Sequence, residues 1–249
     1  MELTKLPISI GMLSWHSTDV LINTLTSYYE NRLLDFTDDF VIFFQEFNED
    51  DKKIAEHFKV SYIPSPSNIG IGQAFVELAK QAKHENLLIL EHDWELIEPA
   101  ENTYNRLYSA LELLEQGYKQ VKLRHRKQPG VPLFSEGAYK GRELEHYNEE
   151  VELTSPNLLS CIHWTENPED IFKQINKQGE YFITTSRWSN WTNNPCLLKT
   201  KSYLEYVVPF AGKGIELEGK ISYWWARQDF PVAHGEGLFM HNDFKKYNR

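Results

Sequence analysis

Glu91-His92-Asp93 is the tripeptide in this 249-residue chain whose residue types and spacing best suit chemistry. It follows the apolar run Leu87-Leu88-Ile89-Leu90. Alternation along an extended chain would project Glu91 and Asp93 to one side, just beyond a buried strand. Hard divalent cations such as Mg²⁺ and Mn²⁺ take carboxylate oxygens and share their coordination with phosphate oxygens, so such a pair suits a diphosphate-bearing ligand. A solvated acidic turn is the alternative reading of the same three residues.

Two further segments carry polar chemistry. Arg187 to Pro195 sets Trp188 and Trp191 among amides, Asn190 included. That composition suits stacking on a sugar ring and hydrogen bonding to its hydroxyls, or equally a turn anchored by buried Trp. Lys122-Leu123-Arg124-His125-Arg126-Lys127 could steer a diphosphate, but a charged strand end exposed to solvent is the favoured reading.

The elements that must position these residues alternate strand and helix. Apolar runs at 7–13, 40–44, 60–63 and 87–90 read as strands. Helical spacing follows at 18–33, 49–58, 73–84 and 101–116, with Ser17, Thr18 and Asp19 as N-cap candidates for the first. A strand at 120–123, a long excursion at 127–156, a short helix at 168–178 and a helix-compatible run at 220–227 complete the reading. Such alternation predicts right-handed βαβ units, hence an α/β fold on a mostly parallel central sheet flanked by helices. Ligands bind such sheets at the C-terminal ends of the strands. Those ends carry Ser14-Trp15-His16, Gln45-Glu46, Pro64 to Gly72 and Glu91-His92-Asp93.

Bulk composition narrows the function classes. A net charge of −10 opposes binding to phosphate backbones, so nucleic acid is not an expected partner. Two cysteines, Cys161 and Cys196, make neither a disulfide framework nor a zinc site, which fits a reducing compartment. No leader-like or membrane-spanning stretch is legible, and the expectation is a soluble, cytoplasmic protein.

Residues 7–98 resemble the nucleotide-binding half of family 2 glycosyltransferases and related GT-A enzymes. The resemblance rests on four landmarks in order: the first strand ending at Ser14-Trp15-His16, Glu46 closing the second, Asn68-Ile69-Gly70 with Gly72-Gln73-Ala74, and the strand ending in Glu91-His92-Asp93, which is similar to the family's Asp-x-Asp. Glu91 stands where the first Asp of that motif is usual, and Trp15-His16 where Tyr-Asn is common.

The resemblance implies one GT-A (Rossmann-like) domain over 1–249. Its nucleotide-sugar half would be 1–98, and 99–249 would carry the acceptor site and the catalytic base. It implies donor contacts at Ser14, Trp15, Glu46, Asn68, Gly70, Gln73, Glu91 and His92. Mn²⁺ or Mg²⁺ would sit on Asp93 and on His241, within Gly237 to Asp243, with acceptor contacts at Trp188, Asn190 and Trp191. A family carboxylate at a helix start is matched by Glu218, with Glu216 second; capping of that helix is the alternative use of either. The expected activity is metal-dependent transfer, with inversion, of a sugar from a UDP- or GDP-sugar to a glycan or small-molecule acceptor. A sugar nucleotidyltransferase, or a carbohydrate-binding protein on a degenerate version of the fold, are the competing readings. The first lacks its Gly-rich basic loop after strand one.

Overall fold

The structure is a computed structural model, and it describes residues 4–142, 157–212 and 217–242. Among the described residues, ten strands form a single sheet in the order β3-β2-β1-β4-β9-β6-β10-β8-β7, with β5 also paired to β10. The strands are β1 (Ile8–Trp15), β2 (Phe40–Gln45), β3 (Ser61–Pro64), β4 (Asn86–Glu91), β5 (Trp94–Leu96), β6 (Gln120–Arg124), β7 (Asn176–Gln178), β8 (Tyr181–Thr185), β9 (Cys196–Lys199) and β10 (Pro231–His241). Strands β1 to β4 are mutually parallel. β9 inserts antiparallel between β4 and β6, and β6 runs parallel to β10. Only β5, β8 and β9 oppose the common direction.

Helices cover both faces because each strand sends alternate apolar side chains to opposite sides. On one face α1 (Thr18–Glu30), α2 (Glu49–Phe58) and α4 (Ala100–Glu115) bury Leu21, Leu25, Tyr28, Ile54, Leu107 and Leu114 against Ile10, Met12, Leu88 and Leu90. On the other, α3 (Ile71–Gln81), α6 (Thr200–Val207) and α7 (Leu217–Trp225) pack Phe75, Leu78, Tyr203, Ile221 and Trp225 over Leu13, Ile89 and Leu198. Each such side chain, taken fully out of water, contributes about 1.5–3 kcal/mol before entropic costs. A short α5 (Phe134–Tyr139) lies within the expected excursion.

Several expectations are corrected. Residues 168–178 form a 3₁₀ turn at Pro168–Asp170 and then β7, not a helix. Ser17 takes the N-cap position of α1 but makes no side-chain capping bond. Lys122, Arg124 and Arg126 are buried rather than solvent-exposed, because β6 lies deep in the sheet, flanked by β9 and β10. His241 lies at the end of an eleven-residue strand, an element for which the sequence reading has no counterpart.

β10 bends between His234 and Phe239, where its register against β6 shifts. Gly237 makes this possible: its φ is +77°, and a Cβ there would stand 2.1 Å from the Arg124 carbonyl oxygen. Gly130 does the same for the loop beside the strand's end, since a Cβ on it would stand 2.0 Å from the His241 oxygen.

Candidate active site

β4 delivers Glu91 to the C-terminal edge of the sheet, and the chain then turns through His92 and Asp93 into β5. Simple alternation therefore stops at Glu91, and the two carboxylates are not consecutive positions of one strand face. The turn is pinned at its start, where the His92 N–H donates to the Leu13 carbonyl at 3.0 Å. It is pinned again where Asn242 N–H donates to the Asp93 carbonyl at 2.7 Å.

β10 runs antiparallel to β5 with His241 opposite Trp94. That register brings His241 Nε2 to 3.2 Å from Asp93 Oδ2, across 148 residues of sequence. The imidazole stacks on the Trp94 indole, with centroids 4.6 Å apart and planes at 19°. Its backbone is held from the other side by the 129–131 loop: His241 N–H donates to Pro129 O at 3.2 Å and His241 O accepts from Val131 N–H at 3.1 Å.

A carboxylate oxygen and an imidazole nitrogen form a donor pair that Mn²⁺ accepts. Cis ligands at about 2.1 Å in an octahedron stand about 3 Å apart, close to the observed separation. The residues present therefore fit a divalent cation. Among the described residues no group of three or more His, Cys, Asp or Glu is placed to hold a metal, so this pair would leave most of the coordination sphere to ligand oxygens.

The edges of β1 and β2 meet over Glu46. Trp15 Nε1 donates to Glu46 Oε2 at 2.6 Å, and His16 Nε2 lies 2.8 Å from the same oxygen. The Trp15 N–H first, and His16 after it, hold the Glu46 carboxyl below the usual carboxylate range against the opposing pull of desolvation. His16, Ser17 and Glu46 all have left-handed φ of 53–59°, a conformation that costs about 1 kcal/mol or more for each non-glycine residue. Ser14 is fully buried beneath them.

At the start of α3, the Asn68 side-chain oxygen accepts from Gly70 N–H at 2.8 Å, and Gly70 adopts φ +87° as the N-cap. Gln73 turns along the helix to donate to Glu77 at 3.0 Å.

Glu218 opens α7, and its neighbour Glu216 lies outside the described residues. Glu218 Oε1 accepts from Thr192 Oγ1 at 3.0 Å and from Asn193 N–H at 2.5 Å. Glu218 and Thr192 line a cavity of about 550 Å³, which also takes in His241, Lys122, Arg124, Asn190, His163 and His234. Glu218, from the first turn of α7, and His241, from the end of β10, thus face one space.

Of the three expected acceptor contacts, only Asn190 reaches the cavity. Trp191 is fully buried and Trp188 nearly so, both inside the core beneath α7. The reading of those two rings as a sugar-stacking platform is corrected in favour of the anchored turn. Trp191 packs edge-on against Trp225 at 5.1 Å.

The residue pattern alone does not single out His163 or His234 for the site. Burial, and then the charge of Arg124, push His163 down to about 3; burial, with His163 itself beside it, holds His234 well below its ordinary value. Each ring donates its one N–H to a backbone carbonyl: His163 Nδ1 to Arg126 O at 3.1 Å, and His234 Nε2 to Arg124 O at 2.7 Å. The unfolded chain takes up these protons below about pH 6.5 and the folded chain does not, so acid favours unfolding. Stability should fall by about 1.4 kcal/mol per pH unit for each histidine as pH drops below 6.5. Urea denaturation at pH 7.5 and 5.5 measures this, and His163→Gln should remove its share of the slope. An unchanged slope would mean that His163 does not stay neutral in the fold.

No family model and no curated protein sequence matches the chain. Solved structures do. Glucosyl-3-phosphoglycerate synthase from Mycobacterium tuberculosis, in complex with Mn²⁺, UDP-glucose and phosphoglyceric acid, is 13% identical with a TM-score of 0.53, over 97% of this chain and 73% of that one. S. aureus TarS 1-349 is 12% identical with a TM-score of 0.57, over 95% and 60%. GalNAc-T7, solved with UDP, GalNAc and Mn²⁺, is 12% identical with a TM-score of 0.59, over 94% and 43%. The chain has the GT-A fold. At these identities the likeness is one of fold, and the chain spans less than two thirds of the length of TarS 1-349 and of GalNAc-T7. Within the GT-A plan, the Asp93–His241 pair and Glu46 lie at the strand ends, where ligands of open α/β sheets bind. Among the described residues no helix is long and apolar enough to cross a membrane.

Proposed function

We propose that this protein is a divalent-metal-dependent glycosyltransferase that moves a sugar, with inversion, from a nucleoside-diphosphate sugar to a glycan or small-molecule acceptor. The observation that carries the proposal is the shared cavity: Glu218 lines it together with His241, whose imidazole meets Asp93 at 3.2 Å. A GT-A fold supports the reading, and the GT-A neighbours crystallised with Mn²⁺ and a uridine nucleotide support its cofactor and donor class.

In this reading residues 1–98 hold the nucleotide and 99–249 hold the acceptor, in one domain. Trp15 and Glu46 flank the nucleoside, Glu91 and His92 border it, and the Asn68–Gln73 turn closes beside it, whereas the fully buried Ser14 supports β1 from within rather than touching the donor. Asp93 and His241 hold Mn²⁺ or Mg²⁺, which when bound offsets the charge of the departing diphosphate. Glu218 accepts the proton of the acceptor hydroxyl as that oxygen bonds to the anomeric carbon. The bond from the anomeric carbon to the diphosphate oxygen breaks, and its electron pair leaves with the nucleoside diphosphate. Thr192 and the Asn193 N–H fix Glu218 Oε1, which leaves Oε2 as the oxygen turned to this task. Two buried cysteines outside any disulfide, Cys161 and Cys196, suit the cytoplasm.

A panel of UDP-, GDP- and dTDP-sugars, assayed with and without Mn²⁺, tests the proposal. One donor should bind and release its nucleoside diphosphate only with metal. Absence of binding by every nucleotide sugar would refute it.

A further inference from the structure

The polar floor of the cavity is set by strand register. Lys122 lies opposite Cys196 on β9 and His234 on β10, so the three form a row across one face of the sheet. Arg124, two residues on, belongs to the same face. Lys122 is 7% exposed and Arg124 5%. Nearby Arg126 is consumed by the fold: it donates to the carbonyls of Ile162, Thr165 and Glu166 and covers the Phe182 ring. Lys122 is different. Among the described residues it makes one bond, to Asn190 O at 2.8 Å, whereas an ammonium carries three donors. Arg124 spends Nε on Pro129 O and Nη2 on Val131 O, and its guanidinium lies 5.2 Å from the Trp94 ring centroid.

Among the described lining residues the charge does not balance; Glu136, which also acts on Arg124, lies outside the lining and pairs with Lys140 at 2.8 Å. Two buried cations face the cavity, and Glu218 is the one carboxylate among its described lining residues. His163 and His234 add no counter-charge, being neutral. Burying an uncompensated charge is costly, and an anionic partner relieves that cost. The excess is local, because the chain as a whole carries −10. Hydroxyls and amides on the same wall, Ser135, Ser160 and Asn194 among them, suit a polyhydroxy ligand.

We propose that the cavity takes an acceptor bearing a phosphate or carboxylate, whose anionic group is bound by Lys122 and Arg124 while its hydroxyl meets Glu218. The proposal rests on the transferase reading for the hydroxyl, but the anion site itself does not. It assigns the two cations to the acceptor rather than to the donor diphosphate.

Calorimetric titration of the full chain in EDTA, which removes metal-bridged phosphate binding, tests it with glucose, glucuronic acid, glucose 6-phosphate, inorganic phosphate and UDP. Both anionic sugars should bind at least tenfold more tightly than glucose, and inorganic phosphate should compete with them. Lys122→Met should erase most of that advantage, and Lys122→Arg should keep it within about threefold. Equal affinity for glucose and its anionic counterparts in the unaltered protein would overturn the proposal. So would a Lys122→Met variant that binds them unchanged, or one that weakens UDP as much as glucose 6-phosphate, which would give the cations to the donor. Should Lys122→Met fail to fold, the unaltered protein and Lys122→Arg still decide. Failure of the transferase reading shows elsewhere, as absent metal-dependent donor binding, with anion binding in EDTA intact.

Discussion

Asp93→Asn should lower metal-dependent release of nucleoside diphosphate by roughly 10²–10³-fold, corresponding to about 3–4 kcal/mol of transition-state stabilisation. The substitution keeps the shape of the side chain and one oxygen but removes the charge that a hard cation prefers. His241→Ala should cost less, because a neutral imidazole offers a single bond and diphosphate oxygens can take its place. Turnover measured against Mn²⁺ concentration separates the two causes of loss: a metal ligand lost shows as a raised metal requirement, partly recovered at high Mn²⁺. A thermal melt guards against unfolding, and should change little, since the bond joining Asn242 to this turn uses the backbone carbonyl of Asp93. Turnover within threefold of the unaltered protein would remove Asp93 from the metal.

Glu218→Gln should reduce transfer to the acceptor by about 10²–10⁴-fold, the range for a general base. Donor affinity should stay as it was. Gln retains an oxygen that accepts from Thr192 and the Asn193 N–H, so the start of α7 keeps its anchor while the proton acceptor is gone. The loss should therefore fall on kcat with KM for the donor unchanged. A loss confined to KM would make Glu218 a binding residue, and full activity would move the search for a base to Glu216.

The N-terminal half was legible because its chemistry is local. Parallel strands buried on both faces read as unbroken apolar runs, as Phe40–Phe44 and Leu87–Leu90 do. The bounds of α2 follow from Asn48, whose side chain caps the helix while Asp51 returns the bond. The C-terminal half was not legible, for equally physical reasons. β10 contains Gly235 and Gly237 and changes register midway, so no period of two survives along it. With that strand unread, His241 looks like part of a polar tail.

The Trp188 and Trp191 rings show a different limit. A Trp beside amides has the same composition whether it stacks on a sugar or fills a core, and only the arrival of α6 and α7 over it decides. Lys122 and Arg124 show the converse. Their alternation with Val121 and Leu123 is the pattern of a half-exposed strand, yet the polar face looks into a cavity whose walls come from residues up to 119 positions away, at His241.

The pairing of Asp93 with the end of β10 also governs when competence can arise during synthesis. A chain emerging from the ribosome at about 5–20 residues per second can assemble β1 to β4 and the helices between them early, since β1 to β4 all lie between Ile8 and Glu91. Not until His241 has cleared the exit tunnel and β10 has docked between β6 and β8 can the two halves of the ligand pair meet. Chains that end before His241 would therefore lack the Asp93–His241 pair, and on the proposed reading activity would report that β10 has docked.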